Sequence, residues 1–133
     1  SVGLCINMFG FISSSGVNGQ LLAQGPTSTW TFATIFGPFI STNTWTHISW
    51  TFSSTDGYTL YVNGNLFGST GVTSSNTVNQ MIWLQIGNLG ACSGSYFSNV
   101  GYQGSIDEVY FHTRELAQAD DQSCQSIECQ FIL

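Results

Sequence analysis

Three short apolar runs within residues 45–69 constrain the fold more than any other part of the chain. Asp56-Gly57 and Asn63-Gly64 separate the runs, and such dipeptides supply the positive φ angles of two-residue type I′ turns. Apolar side chains stand at every second position of the first two runs: Ile48, Trp50, Phe52, Tyr58, Leu60 and Val62. A period of two places one strand face against a core and the other outside. The pattern therefore predicts an antiparallel meander of half-buried strands.

Other short apolar segments predict more strands on both sides of this meander. We expect them at residues 4–12, 20–24, 29–36, 80–86 and 103–112. Gly25-Pro26 should end the second of these strands, and Gly37-Pro38 should interrupt the third. One short helix is expected at about residues 116–123. Many short strands and one small helix predict a single all-β domain, an antiparallel sandwich over residues 1–133.

Charged residues are scarce in this chain. They make up 6% of the sequence, against about 25% in typical domains. Arg114 is the only basic residue, so the chain lacks the positive surface that binds nucleic acid or an anionic membrane. No segment reaches the roughly 18 apolar residues of a membrane span. Few charges also mean little repulsion between copies, which favours self-association.

The four cysteines form an even set without the spacing of a zinc site. We expect disulfides, and therefore an extracellular, secreted protein. Three pairings are open; we favour Cys124–Cys129 as a local link and Cys5–Cys92 as a long-range one. No signal peptide is visible, so we interpret the sequence as a mature or truncated form. Asn-x-Ser/Thr does not occur, and the sequence leaves O-linked sugar open.

Two motifs in order resemble the laminin G-like and pentraxin-like branch of the concanavalin A-like lectin/glucanase superfamily. The first is Trp45-Thr46-His47 followed by YTLYVNG at 58–64. The second is GSIDEVYF at 104–111 followed by Arg114-Glu115-Leu116, with QIGN at 85–88 between the two motifs. The resemblance covers residues 45–123 well and residues 3–44 loosely. It implies a jelly roll of two antiparallel sheets.

The chain departs from this family outline at its beginning. Family members usually carry two or three strands before the segment at residues 4–12, and the first of these would pair near residues 106–111. The chain is then a fragment, a compact variant that covers its own edge, or a subunit whose gap another chain fills by strand addition. Ala117 also stands where the family usually caps its last helix with Ser or Thr.

Catalytic chemistry finds little support in the sequence. Related glucanases place carboxylates at alternate positions of one strand, whereas Asp107 and Glu108 are adjacent and would face opposite ways. We expect no enzyme activity, and we expect Asp107 to accept backbone hydrogen bonds at a turn or bulge. His47 and His112 are expected on solvated strand faces.

Calcium is a frequent cofactor in the resembled family. It needs about six to eight oxygen ligands, and this chain offers only Asp107, Asn88 and loop carbonyls as weak candidates. We therefore expect no resident metal.

Ligand binding has one candidate region, the Gly/Ser-rich loop at 88–102. Tyr96, Phe97 and Tyr102 could stack on a sugar ring, with Asn88 as a hydrogen-bonding partner. The alternative is that Phe97 and Tyr102 plug the end of the sandwich. The four tryptophans are expected mostly in the core: Trp30, Trp45, Trp50 and Trp83.

Two functions remain after these exclusions, both extracellular and non-enzymatic. The first is a structural or adhesive subunit that self-associates, by strand complementation into a filament. The alternative is a lectin-like module that binds a glycan or an extracellular protein. The scarcity of charge and the missing strands favour the first, and the family resemblance favours the second.

Overall fold

The computed structural model describes residues 8–12, 19–29, 31–74, 103–107, 109–110, 112, 117–119 and 131–132. The described strands are β1 (Met8–Ile12), β2 (Gln20–Pro26), β3 (Phe32–Phe39), β4 (Trp45–Thr46), β5 (Ile48–Ser53), β6 (Gly57–Val62), β7 (Asn65–Ser69) and β8 (Phe131–Ile132). Their order is β1-β2-β3 in one sheet, β5-β6-β7 in a second and β4-β8 in a third. Every ladder is antiparallel, which confirms the all-β class.

β2 ends at Gly25-Pro26, as predicted, and includes both residues, whereas the interruption predicted at Gly37-Pro38 is wrong. Gly25-Pro26 completes β2, and Gly37-Pro38 lies within β3. The second pair is tolerated because a bulge sits at this point of the ladder, between the pairs Gln20↔Phe39 and Leu22↔Phe36. A bulge leaves a residue without a ladder hydrogen bond, and proline has no N–H to give.

The second sheet is the predicted meander. Ile48, Trp50 and Phe52 of β5 lie opposite Val62, Leu60 and Tyr58 of β6, so the apolar residues share one face. Asn63 and Gly64 have φ angles of 50° and 71°, which confirms the type I′ turn between β6 and β7.

The connection between β5 and β6 differs from its prediction. It spans residues 54–56, and within the described chain Gly57 but not Asp56 has a positive φ, at 71°. Asp56 instead donates its backbone N–H to Ser53 Oγ at 3.0 Å. The Ser53 hydroxyl thus stabilises a three-residue loop with a left-handed glycine after it, so a two-residue turn is wrong here.

The first two sheets pack against each other through one buried cluster. Its members come from β2, β3, β5 and β6 or follow them directly: Leu21, Ala23, Ile35, Ile40, Ile48 and Leu60, with Trp50 and Val62 against them. At one end the Tyr58 hydroxyl donates to the Pro26 carbonyl at 3.0 Å across the sheets. The two-sheet sandwich expected from the sequence is confirmed.

Residues 103–112 do not form the predicted strand at the positions that the structure describes. Ile106 makes an isolated bridge there, and its described neighbours are exposed and outside strands. Gln118 and Ala119 are helical, as predicted for residues 116–123. The predicted strand at 80–86 lies outside the described residues.

Asn63 links the turn between β6 and β7 to the residue before β5, and this link makes a testable contribution to stability. Its Oδ1 accepts the His47 N–H at 2.9 Å, and its own N–H donates to the His47 carbonyl at 2.9 Å. Asn63→Ala should lower the free energy of unfolding by about 2 kcal/mol, because it loses one hydrogen bond and strains a left-handed residue.

Asn63→Gly is the matched control, since glycine keeps the backbone angle and loses only the side-chain bond. Urea unfolding should therefore rank the wild type first, Asn63→Gly second and Asn63→Ala last. Equal losses in the two variants would show that the backbone angle contributes nothing.

Candidate functional site

The outer face of β3, defined here by Phe32, Phe36 and Phe39, is the most exposed aromatic surface of the described strands. The three side chains are 46%, 47% and 57% exposed. Ile35 pairs with Ala23, and both belong to the core. Side chains alternate along a strand, so Phe36 and its partner Leu22 face away from this cluster, although Leu22 is itself buried.

The bulge explains why three phenylalanines share this face. Phe36 and Phe39 are three positions apart, and regular alternation would send them to opposite faces. Between the pairs on either side of the bulge, the ladder advances two positions on β2, from Gln20 to Leu22, and three positions on β3. Phe39 therefore returns to the side of Phe36. Gln20 supports the bulge by donating its Nε2 hydrogen to the Gly37 carbonyl at 3.1 Å.

The centre of the same face is closed to solvent. Leu22 and Gln24, which lie across from β3 on β2, are 0% and 2% exposed. The buried Nε2 of Gln24 has no hydrogen-bond partner among the described residues. The face therefore has a shielded centre, which includes the uncharged Gln24, and exposed phenyl groups on β3.

The strands of this sheet carry no charged side chain. The first 55 residues contain no Asp, Glu, Lys or Arg; the first charge is Asp56, and the other seven lie within residues 107–128. All of β1, β2 and β3 is consequently uncharged. These three strands offer no acid, base or phosphate-binding group, so an apolar surface can cover them without burying a charge of theirs.

The predicted ligand residues Asn88, Tyr96, Phe97 and Tyr102 lie outside the described residues. The four cysteines predicted to form disulfides also lie outside them: Cys5, Cys92, Cys124 and Cys129. The loop and both cross-links remain predictions.

The structure corrects two predicted environments. Trp45 is 44% exposed rather than in the core, because β4 is a two-residue strand that turns Thr46 inward. His47 is buried rather than on a solvated face, since it enters the meander beside Ile48. His112 is exposed, as expected, although its segment is not a strand.

Trp50 is partly buried and packs against the core cluster. Its ring stacks on Tyr58 with centroids 5.1 Å apart and planes 9° from parallel. Trp30 and Trp83 lie outside the described residues.

Asp107 is exposed and Glu108 lies outside the described residues, so their predicted orientation stays a prediction. Across the described part of the chain, no three acidic, histidine or cysteine side chains come together as metal ligands. The described residues also include no helix that is long and apolar enough to cross a membrane.

Sequence reasoning missed the outer face of β3. Alternation grouped Trp30 with Phe32, but it could not say which set of β3 side chains faces the core. Two signals were available: the absence of charge before Asp56, and the small or aliphatic set Ala33, Ile35 and Gly37, which suits close packing between sheets.

Comparison with protein-family models gives one match. The model described as the concanavalin A-like lectin/glucanases superfamily, a laminin G type, matches residues 6–120. This span contains β1 to β7 and both sequence motifs. Neither the curated proteins nor the solved structures gave a match.

Proposed function

This chain belongs to the concanavalin A-like lectin/glucanase superfamily as a laminin G-like domain, and from that premise we propose that it is an extracellular, non-enzymatic adhesive subunit that self-associates. The observation that carries the proposal is the outer face of β3, where three phenylalanines are about half exposed on an uncharged sheet. A cluster of exposed aromatic side chains more often marks an interaction surface than a surface that only meets solvent.

A second copy of the chain is the partner that best suits this face. Apolar surface gains free energy by meeting apolar surface, and an uncharged sheet meets its own copy without like-charge repulsion. The acidic groups that give the net charge of −6 lie at Asp56 and within residues 107–128, outside β1, β2 and β3.

The free energies of burial and of association predict a weak contact between two such faces. Three half-exposed phenyl groups amount to about 300 Å² on each copy, so a pair of faces gains on the order of 15 kcal/mol before costs. Association itself costs about 4–15 kcal/mol. A single contact should therefore be reversible, and stable adhesion would come from many copies acting together.

Filament formation needs a further contact. Two copies that meet through the same face are related by a two-fold axis and close at a dimer. A second contact between different surfaces extends the assembly, and strand complementation is the form of contact that we propose.

The test compares two phenylalanines of equal exposure on different sheets. Phe36 on β3 and Phe67 on β7 are both 47% exposed. Phe36→Ser should weaken self-association about tenfold or more in sedimentation equilibrium, because each copy loses apolar contact area. Phe67→Ser should leave it within about twofold of the wild type.

Both variants replace a half-exposed phenyl group, so each must first be shown to fold by near-ultraviolet circular dichroism. Equal association constants for Phe36→Ser and the wild type would exclude the outer face of β3 as the contact.

A lectin-like function is the second candidate, and family membership is the observation that favours it. The proposed binding residues are Asn88, Tyr96, Phe97 and Tyr102. Glycan-array screening of the wild type and Tyr96→Ala tests it, with Tyr110→Ala as a control for an exposed tyrosine elsewhere. Undiminished binding by Tyr96→Ala would remove the loop at 88–102 from consideration.

A further inference from the structure

The ladder between β4 and β8 joins two parts of the chain that are far apart in sequence. Trp45 pairs with Ile132 and Thr46 with Phe131, in antiparallel orientation. These two residue pairs make up the whole described ladder, whereas β5 and β6 share six. A ladder this short opens at a small fraction of the cost of global unfolding.

Contacts that do not involve β8 also hold the end of β4. The residue after β4, His47, exchanges two hydrogen bonds with Asn63, one through its N–H and one through its carbonyl, each 2.9 Å long. Thr46, His47 and Ile48 are also buried. The turn between β6 and β7 thus fixes the end of β4, so that its backbone stays an ordered template for a pairing strand.

We propose that β8 of one copy pairs with β4 of another copy in place of its own β8. This inference rests on the proposed self-association and names the strands that extend it. Neither β4 nor β8 contains a charged residue, so the exchanged ladder brings no like charges together. The same backbone hydrogen bonds form within one copy or between two, which makes exchange between identical chains low in cost.

The exchanged contact joins two different surfaces, β8 on the donor and β4 on the acceptor. A heterologous contact of this kind produces an open chain of subunits unless its rotation closes a ring. The exchanged contact can therefore extend an assembly, whereas a two-fold contact through the outer face of β3 stops at a dimer.

The experiment mixes two chains, each lacking one half of the contact. Thr46→Pro removes an N–H from β4 and retains β8, and Phe131→Pro disables β8 and retains β4. Both chains also carry Phe36→Ser, so that the outer face of β3 does not contribute. Light scattering measures the mass of each chain alone and of the equimolar mixture.

Each chain alone should have the monomer mass of about 14.4 kDa, and the mixture should contain a species of twice that mass. A mixture that stays monomeric overturns the exchange. Assembly by either chain alone overturns it as well, because each lacks one half of the contact.

Substitutions that disturb folding have replacements. Trp45→Pro can replace Thr46→Pro as the chain with a disabled acceptor strand. A chain ending at Gln130 can replace Phe131→Pro as the chain without the donor strand. If strands are exchanged, a mixture of one folded chain of each kind must contain the species of twice the monomer mass. The result is separate from the comparison of Phe36→Ser with Phe67→Ser, because that comparison leaves β4 and β8 unchanged.

Discussion

Gly25→Ala is expected to lower the free energy of unfolding by about 3 kcal/mol, at the upper end of the cost of overpacking a core. Gly25 is buried in β2, and a Cβ there would overlap the ring of Tyr58. The ring has little room to move, because Trp50 stacks on it, Phe52 lies 4.6 Å from it between centroids, and its hydroxyl is bonded to Pro26. The backbone of one sheet must therefore shift.

Gly68→Ala is the matched control for this effect. A Cβ at Gly68 would approach Ile35 Cγ2 at 3.1 Å, a terminal methyl that can yield by a small rotation. Urea unfolding should show a loss of about 1 kcal/mol or less for this variant. A loss at Gly25→Ala no greater than that at Gly68→Ala would mean that the sheets are not in close contact at Tyr58.

Tyr58→Ala should have the largest effect of any single truncation in the described core, with a loss of about 3–5 kcal/mol. Tyr58 is fully buried and joins the sheets by the stacking and hydrogen bonding described above. Tyr58→Phe retains the ring and removes the hydroxyl, leaving the carbonyl of buried Pro26 without that donor. Its expected cost is about 1–3 kcal/mol.

A double-mutant cycle connects these two predictions. With the ring removed by Tyr58→Ala, the Cβ added at Gly25 enters vacated space, so the second substitution should cost much less than it does in the wild type. Urea unfolding of the four chains measures this coupling. Strictly additive losses would contradict the contact between Gly25 and Tyr58.

The meander was predictable because several local signals agree there. Alternation placed Trp50 and Leu60 on the inward faces of their strands, and Asn63-Gly64 set the turn through its positive φ angles. The loop before Gly57 was not predictable from Asp56-Gly57 alone, because the Ser53 hydroxyl favours a longer connection. The strand predicted at 103–112 fails at its described positions, since alternation there is not matched by burial of Ile106.

The outer face of β3 could not be predicted from local sequence, because it depends on contacts between residues far apart in the chain. The bulge at Gly37-Pro38 turns Phe39 to the side of Phe36, and a Gly-Pro pair in sequence predicts a break as readily as a bulge. The direction of Phe32 and Phe36 follows from the pairing of Ile35 with Ala23 across two strands. The alternation of side chains within one strand does not predict which residues of another strand pair with it.

Sedimentation equilibrium of the wild-type chain over a wide concentration range tests the central claim most directly. Self-association through uncharged apolar surface predicts a mean mass that rises above 14.4 kDa with concentration and changes little with added salt. A mass of 14.4 kDa at every concentration, including the highest that the protein reaches in solution, would contradict it.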